Sequence, residues 1–281
     1  MITVQPYFVL AASQYYKRVV MDYGIAHIYH YQRNDSDAVQ VQAIPDGSVD
    51  LFFEKTASRL TAKVCGSVLS GHRLQTRSGY EYFGIRFMPG VLPGNLSVKM
   101  PELVEQELDF DDALQDRETV RKIAGTEDWQ TCIQLYLQDY FRHRELPAET
   151  ETGKALLASY LCRNILARSG HIRMEALARA SGYSLRYVQK VFQQYLGMSP
   201  KQFSEILMFQ TAIQGINQVQ KGRLTEIAMA SGYFDQAHFI RSFKKYCRIT
   251  PAAYRKLVCQ NAYWSRMDIE DVSGPGQHLS V

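Results

Sequence analysis

The sequence predicts an α+β chain of two domains. The first is β-rich with helices, a β-sandwich or a small barrel in type, and the second is all-α and holds two helix-turn-helix units. Three observations carry this. The stretch from Leu177 to Tyr254 says nearly the same thing twice. The formal charge changes sign along the chain: residues 1–150 hold 15 Lys and Arg against 20 Asp and Glu, whereas residues 151–281 hold 17 against 8. The apolar pattern also changes period, alternating through the first hundred residues and recurring at i, i+3 and i+4 afterwards. At 281 residues the chain is long enough for two domains with ordinary cores.

Taking the chain in order, Ala26-His27-Ile28-Tyr29-His30-Tyr31 alternates and is rich in strand formers. Val39 to Ile44 is a second candidate strand. Pro45-Asp46-Gly47 is a turn, because Pro presets φ and Gly accepts a positive φ. Val49 to Phe53, Leu60 to Val68 and Tyr80 to Phe87 continue the pattern, and Pro89-Gly90 stops it. Short strands at this spacing predict a sandwich or a small barrel. His27 and His30 fall on opposite faces of a strand, so they do not share a metal and read as structural. No G-x-S-x-G run, Walker loop or Cys/His nucleophile pair is present, so no catalytic residue, cofactor or metal is expected. Arg86 sits in an otherwise apolar strand with Phe83, Ile85 and Phe87. Facing inward, its cation needs a partner. An internal carboxylate such as Asp50 is the expectation, and an anionic ligand is the alternative.

Residues 112–145 turn helical, with Trp129, Cys132, Ile133, Tyr136, Leu137, Tyr140 and Phe141 on one stripe. The first domain is therefore expected over 1–145. A short acidic linker over 146–153 follows, free of bulky residues, and then a second domain over 154–260. Lys154 to Arg168 is its first helix, with Leu157, Leu161 and Ile165 inward. The first repeat opens with Met174, Leu177 and Ala178 on a short helix, turns at Gly182 and can cap a second helix with Ser184. On that helix Tyr187 or Val188, Val191, Phe192 and Tyr195 face in, while Arg186, Gln189, Lys190 and Gln193 face out. In the second repeat Ile227 and Ala228 face in, Gly232 turns and Asp235 can cap. Phe239, Phe243 and Tyr246 are inside, and Gln236, Ala237, His238, Arg241, Lys244 and Lys245 are outside or at the edge. Each copy closes on a hydroxyl-Pro helix start, Ser199-Pro200 and Thr250-Pro251. The offset between copies is 50 residues at Ser-Gly-Tyr and 51 at the Phe and the Pro, so the second carries one residue more. Pro200 to about Gln220 reads as one connecting helix. From 261 the pattern fades, and a disordered tail is expected.

The run Leu-Ala-x-x-Ser-Gly-Tyr-Ser, with Phe192, Gly197-x-Ser-Pro200, Ile227-Ala228, Ser231-Gly232-Tyr233, Phe239, Phe243-Lys244-Lys245 and Thr250-Pro251-x-x-Tyr254-Arg255, resembles the AraC/XylS-type DNA-binding domain. The resemblance covers about Gly153 to Val258 and implies transcription regulation, with two helices in successive major grooves of double-stranded DNA. By position it assigns base reading to Arg186, Gln189 and Lys190, and to Gln236, Ala237, His238 and Arg241. Phosphate contacts fall to Lys244, Lys245, Arg255 and the helix N-termini capped by Ser184 and Ser199. Arg248 departs from it, since the family often has Gly there. The N-terminal pieces Pro45-Asp46-Gly47-x-Val49-Asp50-Leu51 and Gly84-Ile85-Arg86-Phe87-x-Pro89-Gly90 resemble the sensing domain of one branch of the family. That likeness implies a cupin-like module that binds a small-molecule effector or regulates, and the family as a whole implies RNA polymerase as a partner. It also implies a homodimer through the helix holding Ile133, Tyr136, Leu137 and Tyr140.

Composition agrees with a nucleic-acid partner. The basic C-terminal half suits a phosphate backbone, and the acidic N-terminal half does not. No run of about 20 apolar residues is present, so no transmembrane helix is expected, and the N-terminus has no signal-peptide pattern. Five scattered cysteines outside any C-x-x-C read as reduced, mostly buried thiols of a cytoplasmic protein. Two other classes stay open at this point. One is a protein-interaction module with a solvated basic face. The other is an enzyme domain fused to a non-specific DNA-binding domain, which would need an activated cysteine.

Overall fold

The computed structural model describes residues 3–33, 40–56, 59–126, 128–145, 153–219 and 222–272. The N-terminal domain runs α1 (Pro6–Ala11), β1 (Ala12–Asp22), β2 (Ile25–Arg33), β3 (Gln42–Ala43), β4 (Asp50–Lys55), β5 (Leu60–Cys65), β6 (His72–Arg73), β7 (Glu81–Phe87), α2 (Met100–Leu103), β8 (Glu107–Asp109), α3 (Phe110–Ala113), α4 (Arg117–Ala124) and α5 (Trp129–Glu145). The C-terminal domain is α6 (Gly153–Ala167), α7 (Met174–Ser181), α8 (Leu185–Leu196), α9 (Pro200–Gln218), α10 (Leu224–Ala230), α11 (Gln236–Cys247) and α12 (Pro251–Gln260). A 3-10 turn at Tyr263–Arg266 then leads into β9 (Met267–Asp271). Of the expected linker, only Gly153 is among the described residues.

The β-rich domain is built on one seven-stranded sheet ordered β8-β5-β4-β7-β2-β1-β9, with β3 and β6 forming a separate ribbon. Every pair in the large sheet is antiparallel except β1 with β9, which is parallel. Strand alternation sorts the side chains into two layers. One face carries Ile28, Leu51, Phe53, Val64, Phe83, Ile85 and Phe87, all buried. Helix α5 lies on it: Tyr140 and Tyr136 meet Phe87 at 5.5 and 6.5 Å between ring centroids, and Trp129 stacks on His30 at 4.7 Å. The other face carries Tyr15, Lys17, His27, Tyr29, Tyr31, Tyr82, Arg86 and Asp50, and Phe8 of α1 stacks on Tyr31 at 5.9 Å.

Two expectations are corrected here. Ile133, Tyr136, Leu137 and Tyr140 do not present a dimer surface, because all four are buried against their own sheet. The Tyr136 hydroxyl donates to Asn95 Oδ1 at 2.9 Å and the Tyr140 hydroxyl to the Tyr23 carbonyl at 2.6 Å. An apolar stripe marks what a helix buries, and here the nearest apolar surface is intramolecular. The tail expected to be disordered from 261 is instead ordered through Val272. Met267–Asp271 pairs with Tyr15–Val19, Arg266 Nη1 donates to the carbonyls of Leu10 (3.0 Å) and Ala12 (2.7 Å), and Trp264 Nε1 donates to the Asn217 carbonyl at 2.7 Å. Glu270 also binds Arg18 at 2.8 Å and the Tyr16 hydroxyl. Residues 273–281 lie outside the described residues.

The last strand of the chain thus completes the sheet of the first domain. The two domains also meet directly. Gln210 of α9, fully buried, holds Val4 at both its N–H (2.8 Å) and its carbonyl (3.2 Å), and donates to the Pro45 carbonyl at 2.8 Å. Tyr7 shares a hydrogen bond with Cys247 Sγ at 3.2 Å, and Gln42 Nε2 donates to the Cys247 carbonyl at 3.0 Å. At Gly197 the α8 C-cap lies so close to α2 that a Cβ would come within 2.8 Å of Pro101 Cα.

Candidate nucleic-acid interface

Each helix-turn-helix unit is fixed by local chemistry. In the first, α7 ends on Gly182 at φ +74°, and the Ser184 hydroxyl accepts from Tyr187 N at 3.3 Å to start α8. In the second, Gly232 turns at φ +83°, and the Asp235 carboxylate accepts from His238 N at 2.6 Å to start α11. Ser199 caps α9 through Gln202 N at 3.1 Å, and Thr250 caps α12 through Ala253 N at 3.2 Å. The inner stripes, Val188, Val191 and Phe192 in α8 and Phe239, Phe243 and Tyr246 in α11, are buried, whereas Tyr187 and Tyr195 are half-buried. Between the units α9 runs 19 residues, about 28 Å at 1.5 Å per residue.

Most residues singled out for base reading stand in solvent: Arg186, Gln189 and Lys190 on α8, and Gln236, Ala237 and Arg241 on α11. His238 is half-buried, its ring edge-on to Tyr233 at 5.3 Å. Lys244 is exposed. Lys245 is held by its own domain, 3.7 Å from Glu205 and 4.7 Å over the Tyr246 ring. Arg255 donates to the Gly222 carbonyl at 2.7 Å, so its guanidinium ties α12 to the loop before α10. Helical periodicity does not single out Phe234 on this face. It is 93% exposed and is the extra residue of the second unit, inserted between Tyr233 and the cap Asp235, so the 51-residue offset was its signal.

The N-terminal domain grips the C-terminal ends of both recognition helices. It meets α8 at Gly197 and α11 at Cys247 and Arg248. Arg248 ends α11 at φ +62°, where a glycine would be unstrained. Its guanidinium donates to the Gly71 carbonyl at 3.2 Å and to Ser70 Oγ at 3.1 Å, so domain contacts offset the strain. The N-terminal ends of both helices, the ends that reach base edges in such motifs, stay open.

A concavity of about 590 Å³ lies between the polar sheet face and the β3–β6 ribbon. Phe8, Phe52 and Tyr82 wall it, and Arg86 stands at its base with Asp46 and Asp50. Arg86 is 2% exposed; its Nε donates to Asp50 Oδ1 at 2.8 Å, its Nη2 pairs with Asp50 Oδ2, and its Nη1 lies 3.5 Å from Asp46 Oδ2. The internal carboxylate was the expected partner, and both acids satisfy the cation. Asp46 also accepts from Ser48 N at 3.0 Å and Gln5 Nε2 at 2.9 Å, and burial pushes its carboxyl up against the pull of Arg86. His27 is buried and its Nδ1 lacks a hydrogen-bond partner; burial, then Lys17 and Arg86, hold it well below the usual histidine range, so it stays neutral. Among the described residues no His/Cys/Asp/Glu group could hold a metal ion. Cys132, Cys162 and Cys247 are buried and their thiols pushed up to about 11, 12 and 12 by burial, which leaves no activated nucleophile among them.

Two helix-turn-helix units on one rigid spacer, with open polar helix ends, define a double-unit DNA-binding domain. A family model described as a helix-turn-helix domain matches residues 177–257, and one for a domain of unknown function, DUF6597, matches residues 22–109. An uncharacterized HTH-type transcriptional regulator of Haemophilus influenzae is 38% identical over 85 residues, 30% of this chain and 28% of that protein. The probable transcription factor PqrA of Proteus vulgaris is 30% identical over 91 residues, 32% of this chain and 74% of that protein. A solved regulator with an AraC-type DNA-binding domain from Chromobacterium violaceum is 22% identical over 37% of this chain and 96% of that one, with a TM-score of 0.33. The chain belongs to the AraC/XylS family of transcription regulators. Among the described residues no helix is long and apolar enough to cross a membrane.

Proposed function

We propose that this protein is a cytoplasmic, sequence-specific transcription regulator that lays α8 and α11 in successive major grooves on one face of a duplex. The observation that carries the reading is the pairing of two open recognition-helix ends with a spacer of about 28 Å, close to the roughly 34 Å of one duplex turn. Arg186, Gln189 and Lys190 read one half-site, and Gln236, Ala237, His238 and Arg241 read the other, since Arg suits guanine and Gln suits adenine. Lys244 and the helix N-termini capped by Ser184 and Ser199 meet phosphates and set register without reading sequence. Lys245 joins them by leaving Glu205.

A small-molecule effector in the cavity beside Arg86 completes the reading. The chemical route to DNA is short: Asp46 bonds Gln5, and the neighbouring Pro45 carbonyl bonds Gln210 of α9. RNA polymerase is the protein partner, and the homodimer uses a surface other than the buried α5 stripe.

The test is selection of bound fragments from sheared source DNA by the full chain at about 150 mM salt, where non-specific binding is weak. A motif with two half-sites about 10 base pairs apart is expected. No enrichment, with affinity that depends on salt but not on sequence, would sink the proposal.

A further inference from the structure

We infer that Phe234 is a specificity residue of the second unit, making an apolar contact with the C5-methyl of a thymine in the major groove. The inference rests on the DNA-binding reading above.

Among the described large hydrophobic side chains Phe234 is the most exposed, at 93%. It has no counterpart in the first unit: there Tyr183 is followed directly by the cap Ser184, whereas here Phe234 stands between Tyr233 and the cap Asp235. The inserted residue does no packing for the domain. Tyr233 before it is buried against Phe239 at 5.1 Å, and Asp235 after it caps α11 through His238 N. With both neighbours anchored, the benzyl group is held outward at the N-terminal entrance of α11. That end of a recognition helix is the one that meets base edges. Gln236 and Ala237 follow it in the first turn of α11, both exposed. A phenyl ring has no hydrogen bond to offer, so it discriminates bases only by apolar contact. The thymine methyl is the apolar group that the major groove displays.

The experiment uses the full chain and the motif it enriches. Each thymine in the half-site of the second unit is replaced singly by deoxyuridine, which removes only the methyl. Wild type, F234S and F234L are titrated on every duplex. One position is expected where deoxyuridine weakens wild type about fourfold, the value of one buried methyl. F234S binds the thymine duplex about fourfold more weakly and is indifferent to the replacement, while F234L keeps much of the sensitivity. At 93% exposure neither variant should shift Tm. The inference fails if no deoxyuridine position separates wild type from F234S, or if F234S weakens a scrambled duplex equally, which is the signature of a backbone contact or an unstacking wedge. It also fails if F234S binds the motif as wild type does, which would turn the ring toward a protein partner. A wild-type protein that enriches no motif overturns the DNA-binding reading as well, so the two failures are told apart.

Discussion

Arg241 and Lys244 are three residues apart on α11 and both exposed, yet they carry different chemistry. The planar guanidinium can bind a guanine edge with two hydrogen bonds, and the ammonium is a point charge for a phosphate. Arg241→Ala is expected to cost about 1–3 kcal/mol on the cognate duplex and little on a scrambled one. Lys244→Ala should weaken both alike and lower the salt slope by about one. Anisotropy titrations on two sequences at two salt concentrations check this, and parallel losses on both would reverse the assignment. Lys17 is 7% exposed on the polar sheet face and in no ion pair among the described residues. Burial, with Arg86 adding to it, pulls the ammonium down from 10.5 to about 8. The folded state therefore disfavours the charged form. Its penalty is full below about pH 8 and fades as pH rises toward 10.5, so this group makes stability rise with pH across that window. Lys17→Met should stabilise the protein at pH 7 by a few kcal/mol, on the order of two pKa steps, and flatten the rise in denaturant midpoint between pH 8 and 10.5.

At the scale of elements, β9 is one that local pattern does not announce, as are α1 and β1, which the sequence reading did not place. Met-Asp-Ile-Glu-Asp is short, acidic and mostly exposed, and becomes a strand because β1 offers an unpaired edge. Ending the chain at Asn261 removes the β1 pairing, the Arg266 bonds to Leu10 and Ala12, and the Trp264 bond to α9. Thermal unfolding should then change from one transition to two, the N-terminal domain melting lower, with a stronger tendency to associate through the bare β1 edge. A single unchanged transition would show that β9 contributes nothing to coupling the domains. The helix-turn-helix elements behave in the opposite way. Their ends follow from Gly182, Ser184, Gly232 and Asp235, each acting on its own chain neighbours, and the sequence reading placed them without tertiary help.

At the scale of the whole molecule, the first domain holds α8 and α11 by their C-terminal ends while α9 joins them. The spacing of the two reading heads is therefore set by two independent struts. The full chain is expected to demand one half-site spacing, so that adding one base pair, about 34° of rotation and 3.4 Å, costs at least tenfold. Residues 153–261 alone, which lack the strut from the first domain, should tolerate the insertion better. Equal penalties for the two proteins would assign the spacing to α9 alone. The buried α5 stripe also removes the dimer surface that the family resemblance implied.

The sequence by itself determined what short-range chemistry determines: the repeat, the glycine turns, the hydroxyl-Pro helix starts, the outward Arg, Gln and Lys faces, and the need of Arg86 for an anionic partner. Each depends on residues a few positions apart or on a cost that one buried charge imposes anywhere. Tertiary structure alone decided which surface the α5 stripe meets, that Asp46 joins Asp50 on Arg86, and that the final strand crosses back to pair with β1. Those outcomes depend on partners distant in sequence, such as Glu270 with Arg18 and Gln210 with Val4. A one-dimensional pattern records that a group must be buried or paired, and only the fold settles which distant group lies within reach.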